Sequence, residues 1–150
     1  MATNCHVIDR RDDIIVYKSH NRRADTDTAF PATILHSNED KDFCLLNVNR
    51  LAGIPTAIRR YNTLKVGETT YALGAPDGYD LSLSDGLISQ LREWDGNQFI
   101  QTNAAISPGS SGGGLFDSEG NLIGITTEKI ADVEVEGIGF AIPADLVLEY

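Results

Sequence analysis

Nine apolar runs of strand length, four of the gaps between them marked by turn signals, constrain this 150-residue chain more than any other feature. They fall near Ile14–Tyr17, Ala29–His36, Phe43–Val48, Thr69–Leu73, Leu81–Arg92, Gln98–Thr102, Gly113–Phe116, Leu122–Glu128 and Gly137–Pro143. Between them lie Asn38-Glu39-Asp40, Gly74–Gly78, Asp95-Gly96-Asn97 and Ser118-Glu119-Gly120-Asn121, residues that favour turns through positive φ or local side-chain hydrogen bonds. Helical periodicity is confined to a short stretch from Pro143 or Ala144 to Tyr150. Short, turn-punctuated runs with so little helix predict an all-β sandwich or pair of barrels.

One glycine-rich stretch breaks the pattern: Ser107-Pro108-Gly109-Ser110-Ser111-Gly112-Gly113-Gly114. Glycines let consecutive backbone N–H groups converge on one concavity, with no side chains in the way. A serine beside such a nest can attack a carbonyl while the N–H groups of Gly109 and Ser111, with Ser110 as a further candidate, hold the oxyanion. The plainer alternative is a flexible Gly/Ser linker. Against it stand the apolar runs Phe99-Ile100-Gln101-Thr102 and Leu115-Phe116 on either side.

A nucleophilic serine needs a base, and the base needs an orienting group. Three histidines are available. His20 lies in the polar stretch Lys18-Ser19-His20-Asn21-Arg22-Arg23, and His36 ends the run Ala32-Thr33-Ile34-Leu35 as a strand-end residue. His6, in Thr3-Asn4-Cys5-His6-Val7-Ile8, is the candidate base. Asp42 opens Phe43-Cys44-Leu45-Leu46-Asn47-Val48, a run dense enough to cross a core, so its carboxylate needs a partner. Otherwise Asp42 is one more surface acid of the cluster Glu39-Asp40-Lys41-Asp42.

The order His6, Asp42, Ser111 is that of the chymotrypsin-like enzymes, and the surrounding residues resemble the HtrA/Deg branch of trypsin-like serine proteases. Thr3-Asn4-Cys5-His6-Val7 resembles T-N-x-H-V, and Asp42 to Val48 resembles D-L-A-L-L-K-V. Gln101 to Gly113 resembles Q-T-D-A-A-I-N-P-G-N-S-G-G, with Asn103 and Ser110 as departures. Tyr71 to Gly78 is similar to the family's A-I-G-N-P-x-G turn; Ile123-Gly124-Ile125 and Ile138 to Pro143 resemble its closing strands. The resemblance implies two antiparallel Greek-key barrels: residues 1–62, carrying His6 and Asp42, and residues 67–150, carrying Ser111. A linker around Ala52–Val66 divides them. It further implies a serine endopeptidase acting on polypeptides without metal or organic cofactor, and Ala105, Ile106, Ile130 and Ile138 as a pocket for small aliphatic side chains. A protease-like scaffold without activity, or an inactive fragment of a longer protease, is the rival reading. The family's opening strands have no counterpart before His6, so the first barrel is expected to be incomplete: the chain alone either pairs with another copy through this half or leaves His6 away from Ser111. The family also implies a periplasmic or secreted location, although no signal peptide opens the chain.

Composition excludes several other functions. Net charge is −10. Residues 63–150 carry three Lys/Arg against fourteen Asp/Glu, which argues against nucleic-acid binding. Glu128, Asp132, Glu134 and Glu136 form a local acidic cluster, either a solvated hairpin or a selector for basic substrate residues. No apolar stretch approaches the roughly 20 residues that span a bilayer. Cys5 and Cys44 are the only cysteines, too few for a disulfide-built scaffold and lacking the spacing of a zinc site. Because they flank His6 and Asp42, a triad brings them together, either as a disulfide or as two buried thiols.

Overall fold

The structure, a computed structural model, describes residues 1–9, 13–18, 29–75, 81–128 and 136–150. The chain is all-β and divides into two compact units, Met1–Pro55 and Thr56–Tyr150.

The first unit is half of a barrel. Strands β1 (Ala2–Thr3), β2 (Ile14–Tyr17), β3 (Ala29–Asn38) and β4 (Phe43–Val48) form an antiparallel sheet in the order β1-β4-β3-β2. Cys44 and Leu46 share one buried face of β4, which pins its register against the one-residue slip that would turn them outward. A four-residue helix, α1 (Cys5–Ile8), leaves β1 and stops at Asp9, whose φ of 42° is left-handed. No helical signal marks this segment in the sequence. Four residues cannot nucleate a helix alone, so tertiary bonds to the start of β4 hold it.

The second unit closes into a six-stranded barrel from β5 (Thr69–Gly74), β6 (Ser82–Trp94), β7 (Asn97–Thr102), β8 (Gly114–Asp117), β9 (Leu122–Thr127) and β10 (Gly139–Pro143). The order β10-β7-β6-β5-β8-β9 runs β5 to β7 as a meander, then crosses so that β8 pairs with β5. Asp95 and Gly96, with φ of 50° and 74°, make the two-residue β6–β7 hairpin, where Asp-Gly supplies the left-handed pair that strand twist favours. Ile88, Ile100, Leu115 and Ile123 are 0% exposed and fill the barrel. Each such side chain contributes roughly 1.5–3 kcal/mol.

Two readings change. The terminal helix is a 3₁₀ helix, Ala144–Glu149, whose Asp145 accepts the Tyr61 N–H at 3.2 Å. The residues expected to form a linker, 52–66, are not one from Thr56 onward. Ile58 bridges to Leu122, and the Arg59 guanidinium donates to Glu68 at 2.6 and 2.9 Å and to Asp117 at 3.3 Å. Hydrogen bonding from Arg59 lowers the Glu68 pKa below the ordinary carboxyl value. At Asp117 burial pushes upward, but bonds from Asn121, Glu119 and Arg59 outweigh it and hold the pKa low. Among the described residues, no helix is long and apolar enough to cross a membrane.

Candidate active site

In the first unit the turn before β4 builds a histidine–carboxylate pair. Asp42 takes a left-handed backbone conformation, φ 51°, and its N–H donates to Glu39 O at 3.1 Å. That turns its carboxylate towards α1. Oδ1 accepts the His6 backbone N–H at 3.0 Å, and Oδ2 lies 2.6 Å from His6 Nδ1. The Asp42 carbonyl accepts from Asn4 Nδ2 at 3.1 Å and from the Cys5 N–H at 3.3 Å. Three successive residues are thus tied to one.

The chemistry of the pair follows from its donors. The Asp42 side chain is 8% exposed and that of His6 29%. A carboxylate oxygen accepts, so the 2.6 Å bond suits an Nδ1–H donor, and in the neutral imidazole with that tautomer Nε2 keeps the lone pair. Cys5 and Cys44, left open between thiols and a bond, are joined as a disulfide with Cα atoms 5.1 Å apart. Of the other histidines, His36 lies on β3 opposite Leu45, and His20 falls outside the described residues.

In the second unit the glycine-rich stretch folds tightly between β7 and β8. The Ser110 N–H donates to Ser107 O at 2.9 Å, closing a turn across Pro108 and Gly109, whose φ is 89°. Proline cannot adopt positive φ, so this is a type II turn, with glycine where left-handed backbone is needed. Ser110 was a candidate third oxyanion donor; its N–H is instead engaged within the turn. Among the described residues, the N–H groups of Gly109 and Ser111 make no backbone hydrogen bond.

Beyond the serine, Gly113 sits where no side chain fits. A β-carbon there would lie 2.4 Å from Leu73 O and 2.9 Å from Ser110 O. Thr126 Oγ1 donates to Ser110 O at 2.6 Å, and the Gly112 N–H donates to Thr126 O at 2.9 Å. The Glu128 N–H donates to Ser111 Oγ at 3.1 Å, fixing its rotamer.

A pocket of about 680 Å³ opens beside this loop, lined by Ala105, Ile106, Glu128, Glu136, Ile138 and Gly139 among others. Three of the four expected pocket residues therefore line it; Ile130 lies outside the described residues, as do Asp132 and Glu134 of the acidic cluster. Gly139 keeps the pocket open against Ile106, whose Cδ1 would lie 2.7 Å from an added β-carbon. Sequence reasoning missed Asn4, Thr126 and the Glu128 N–H. The first two carried a signal, each being a polar residue within or beside an apolar, buried run.

Comparison with known proteins gives the family. Residues 1–125 match the trypsin-like peptidase domain, and the chain belongs to that family. Within it, the similar proteins are HtrA/Deg serine proteases. The chain is 37% identical over 160 residues to the chloroplastic Protease Do-like 1 of Arabidopsis thaliana, spanning 98% of this chain and 35% of that protein. It is 36% identical to the serine endoprotease DegS of Escherichia coli K12, across 97% of this chain and 42% of DegS. Among solved structures, the HtrA-type protease AlgW with decapeptide superimposes with a TM-score of 0.83 at 37% identity, covering 99% of this chain and 46% of that one. The chain thus spans less than half the length of these relatives.

Proposed function

We propose that the chain carries the catalytic machinery of an HtrA-type serine endopeptidase, with Ser111 as nucleophile, His6 as general base and Asp42 as its orienting carboxylate. The observation that carries the reading is the doubly bonded His6–Asp42 pair, at 2.6 and 3.0 Å. A single surface ion pair would not fix both the tautomer and the ring of a base. In this scheme His6 Nε2 takes the Ser111 proton as Oγ attacks the peptide carbonyl, then returns it to the leaving amine. The oxyanion rests on the N–H groups of Gly109 and Ser111, and water later hydrolyses the acyl-enzyme. Removing one such donor typically costs roughly 3–4 kcal/mol of transition-state stabilisation, so the type II turn matters as much as the side chains.

The substrate class proposed is an extended polypeptide with a small aliphatic residue before the scissile bond. Ala105, Ile106 and Ile138 support this; the carboxylates of Glu128 and Glu136 also line the pocket, which makes cleavage after Lys or Arg the rival outcome. Discrimination among aliphatic residues should be broad, because one methylene is worth only about 1–3 kcal/mol. The compartment proposed is periplasmic or secreted, supported by relatives named as periplasmic endoproteases and by the disulfide. Peptide-library profiling tests the assignment. Cleavage after Val, Ala, Ile or Leu that disappears in Ser111→Ala is expected; a strong preference for Arg, or cleavage that survives the substitution, overturns it.

A further inference from the structure

We propose that the Cys5–Cys44 disulfide is a redox-sensitive tie on the candidate base: its reduction moves His6 off Asp42 and silences the site. The inference rests on the reading of His6, Asp42 and Ser111 as a triad. Cys5 immediately precedes His6 in α1, a helix with no buried residue. Cys44 is 1% exposed in β4, two residues after Asp42, and is registered against Thr3 on one side and Ser37 on the other. One end of the bond is therefore anchored in a sheet, and the other is on a helix that cannot stand alone.

Reduction removes the covalent link between α1 and β4 and leaves α1 held by its hydrogen bonds to Asp42. Cys44 stays in place, because Phe43 beside it is 0% exposed and Leu46 is 4% exposed. The end set free is therefore Cys5, next to His6 in a helix too short to hold itself. Excursions of α1 lengthen the 2.6 Å His6–Asp42 contact beyond hydrogen-bond range.

The reaction needs a dithiol reductant. One reductant thiolate attacks the partly exposed Cys5 Sγ, breaking the S–S bond, and Cys44 leaves as thiolate and takes a proton. The second reductant thiol then attacks the mixed disulfide, releasing Cys5 as thiol. The reductant ends as a disulfide, having passed two electrons and two protons to the chain.

The test follows the full chain, air-oxidised and then treated with dithiothreitol, with maleimide mass labelling to count free thiols. Two readouts are taken: fluorophosphonate labelling of Ser111, and the proton resonance of the hydrogen-bonded His6 Nδ1–H. Reduction should slow labelling at least about tenfold, as expected when a general base is displaced, and should abolish the resonance; reoxidation should restore both. The double variant Cys5→Ala/Cys44→Ala has no disulfide to reduce, so dithiothreitol should leave its labelling rate unchanged. Absence of labelling in the oxidised protein overturns the triad reading. A reduced protein with two free thiols, an unchanged His6 resonance and an unchanged labelling rate overturns the tie.

Discussion

Replacing Asp42 with asparagine isolates the part of the site on which the mechanism depends most. The native carboxylate faces two donors, the His6 backbone N–H at 3.0 Å and Nδ1–H at 2.6 Å. An amide offers one acceptor and one donor edge. The backbone N–H cannot change its role, so Oδ1 of the new asparagine must stay on it, and the NH₂ group then faces Nδ1. That contact is tolerable only if Nδ1 gives up its proton. The imidazole therefore switches to the tautomer protonated on Nε2, which cannot accept the serine proton. Flipping the amide merely moves the donor–donor clash to the backbone. A base locked in the wrong tautomer costs about 10⁴ in kcat, close to 5 kcal/mol of barrier. Losing a charge-assisted hydrogen bond should cost about 1.5–3 kcal/mol of stability, so the variant should still fold in part. The assay is kcat/KM on a peptide ester at 20 °C, with circular dichroism to establish the folded fraction. Folded Asp42→Asn retaining activity within about tenfold of the parent would refute the tautomer argument.

Two further outcomes follow from the second unit. Gly113→Ala should disrupt the serine loop, because its β-carbon would meet two backbone carbonyls; a loss of about 1–3 kcal/mol in denaturant unfolding, with fluorophosphonate labelling of Ser111 abolished, is expected. Glu68 and Asp117 have carboxyl pKa values held below their unfolded ones. Their contribution is therefore present above about pH 4 and is lost as pH falls through the lowered values. Both members of the Arg59–Glu68 pair are about a quarter exposed, so about 1 kcal/mol or less is at stake. Arg59→Gln should lower Tm by a few degrees at pH 6 and by less at pH 3; an equal drop at both pH values would contradict the linkage.

Much of this organisation was legible in the sequence because β-structure writes itself locally. Strands β4, β7 and β9 carry runs whose turn residues fix their ends, and Asp95-Gly96 announces its own hairpin. The candidate site residues were suggested by a glycine nest and by a polar residue at the head of an apolar strand, each with a plainer reading, and only their combination with the family motifs around them pointed to chemistry. Helix α1 was not legible, since four residues hold a helical turn only through Asn4, Cys5 and His6 bonding to Asp42, 38 residues away in the case of Asn4. The attachment of residues 56–66 was hidden likewise. It depends on Arg59 meeting Asp117 across 58 residues, and no local pattern encodes such a pairing. The engagement of the Ser110 N–H by Ser107 O was not legible either, because sequence shows which residues form a turn but not which N–H groups close it.

The central claim, that His6 activates Ser111, is tested most directly by the rate at which a fluorophosphonate labels the parent chain, Ser111→Ala and His6→Ala. Base removal leaves the hydroxyl protonated, so the account predicts modification of Ser111 alone in the parent, none in Ser111→Ala, and labelling slowed by about 10²–10⁴ in His6→Ala. Labelling that persists in Ser111→Ala, or His6→Ala reacting as fast as the parent, would contradict it.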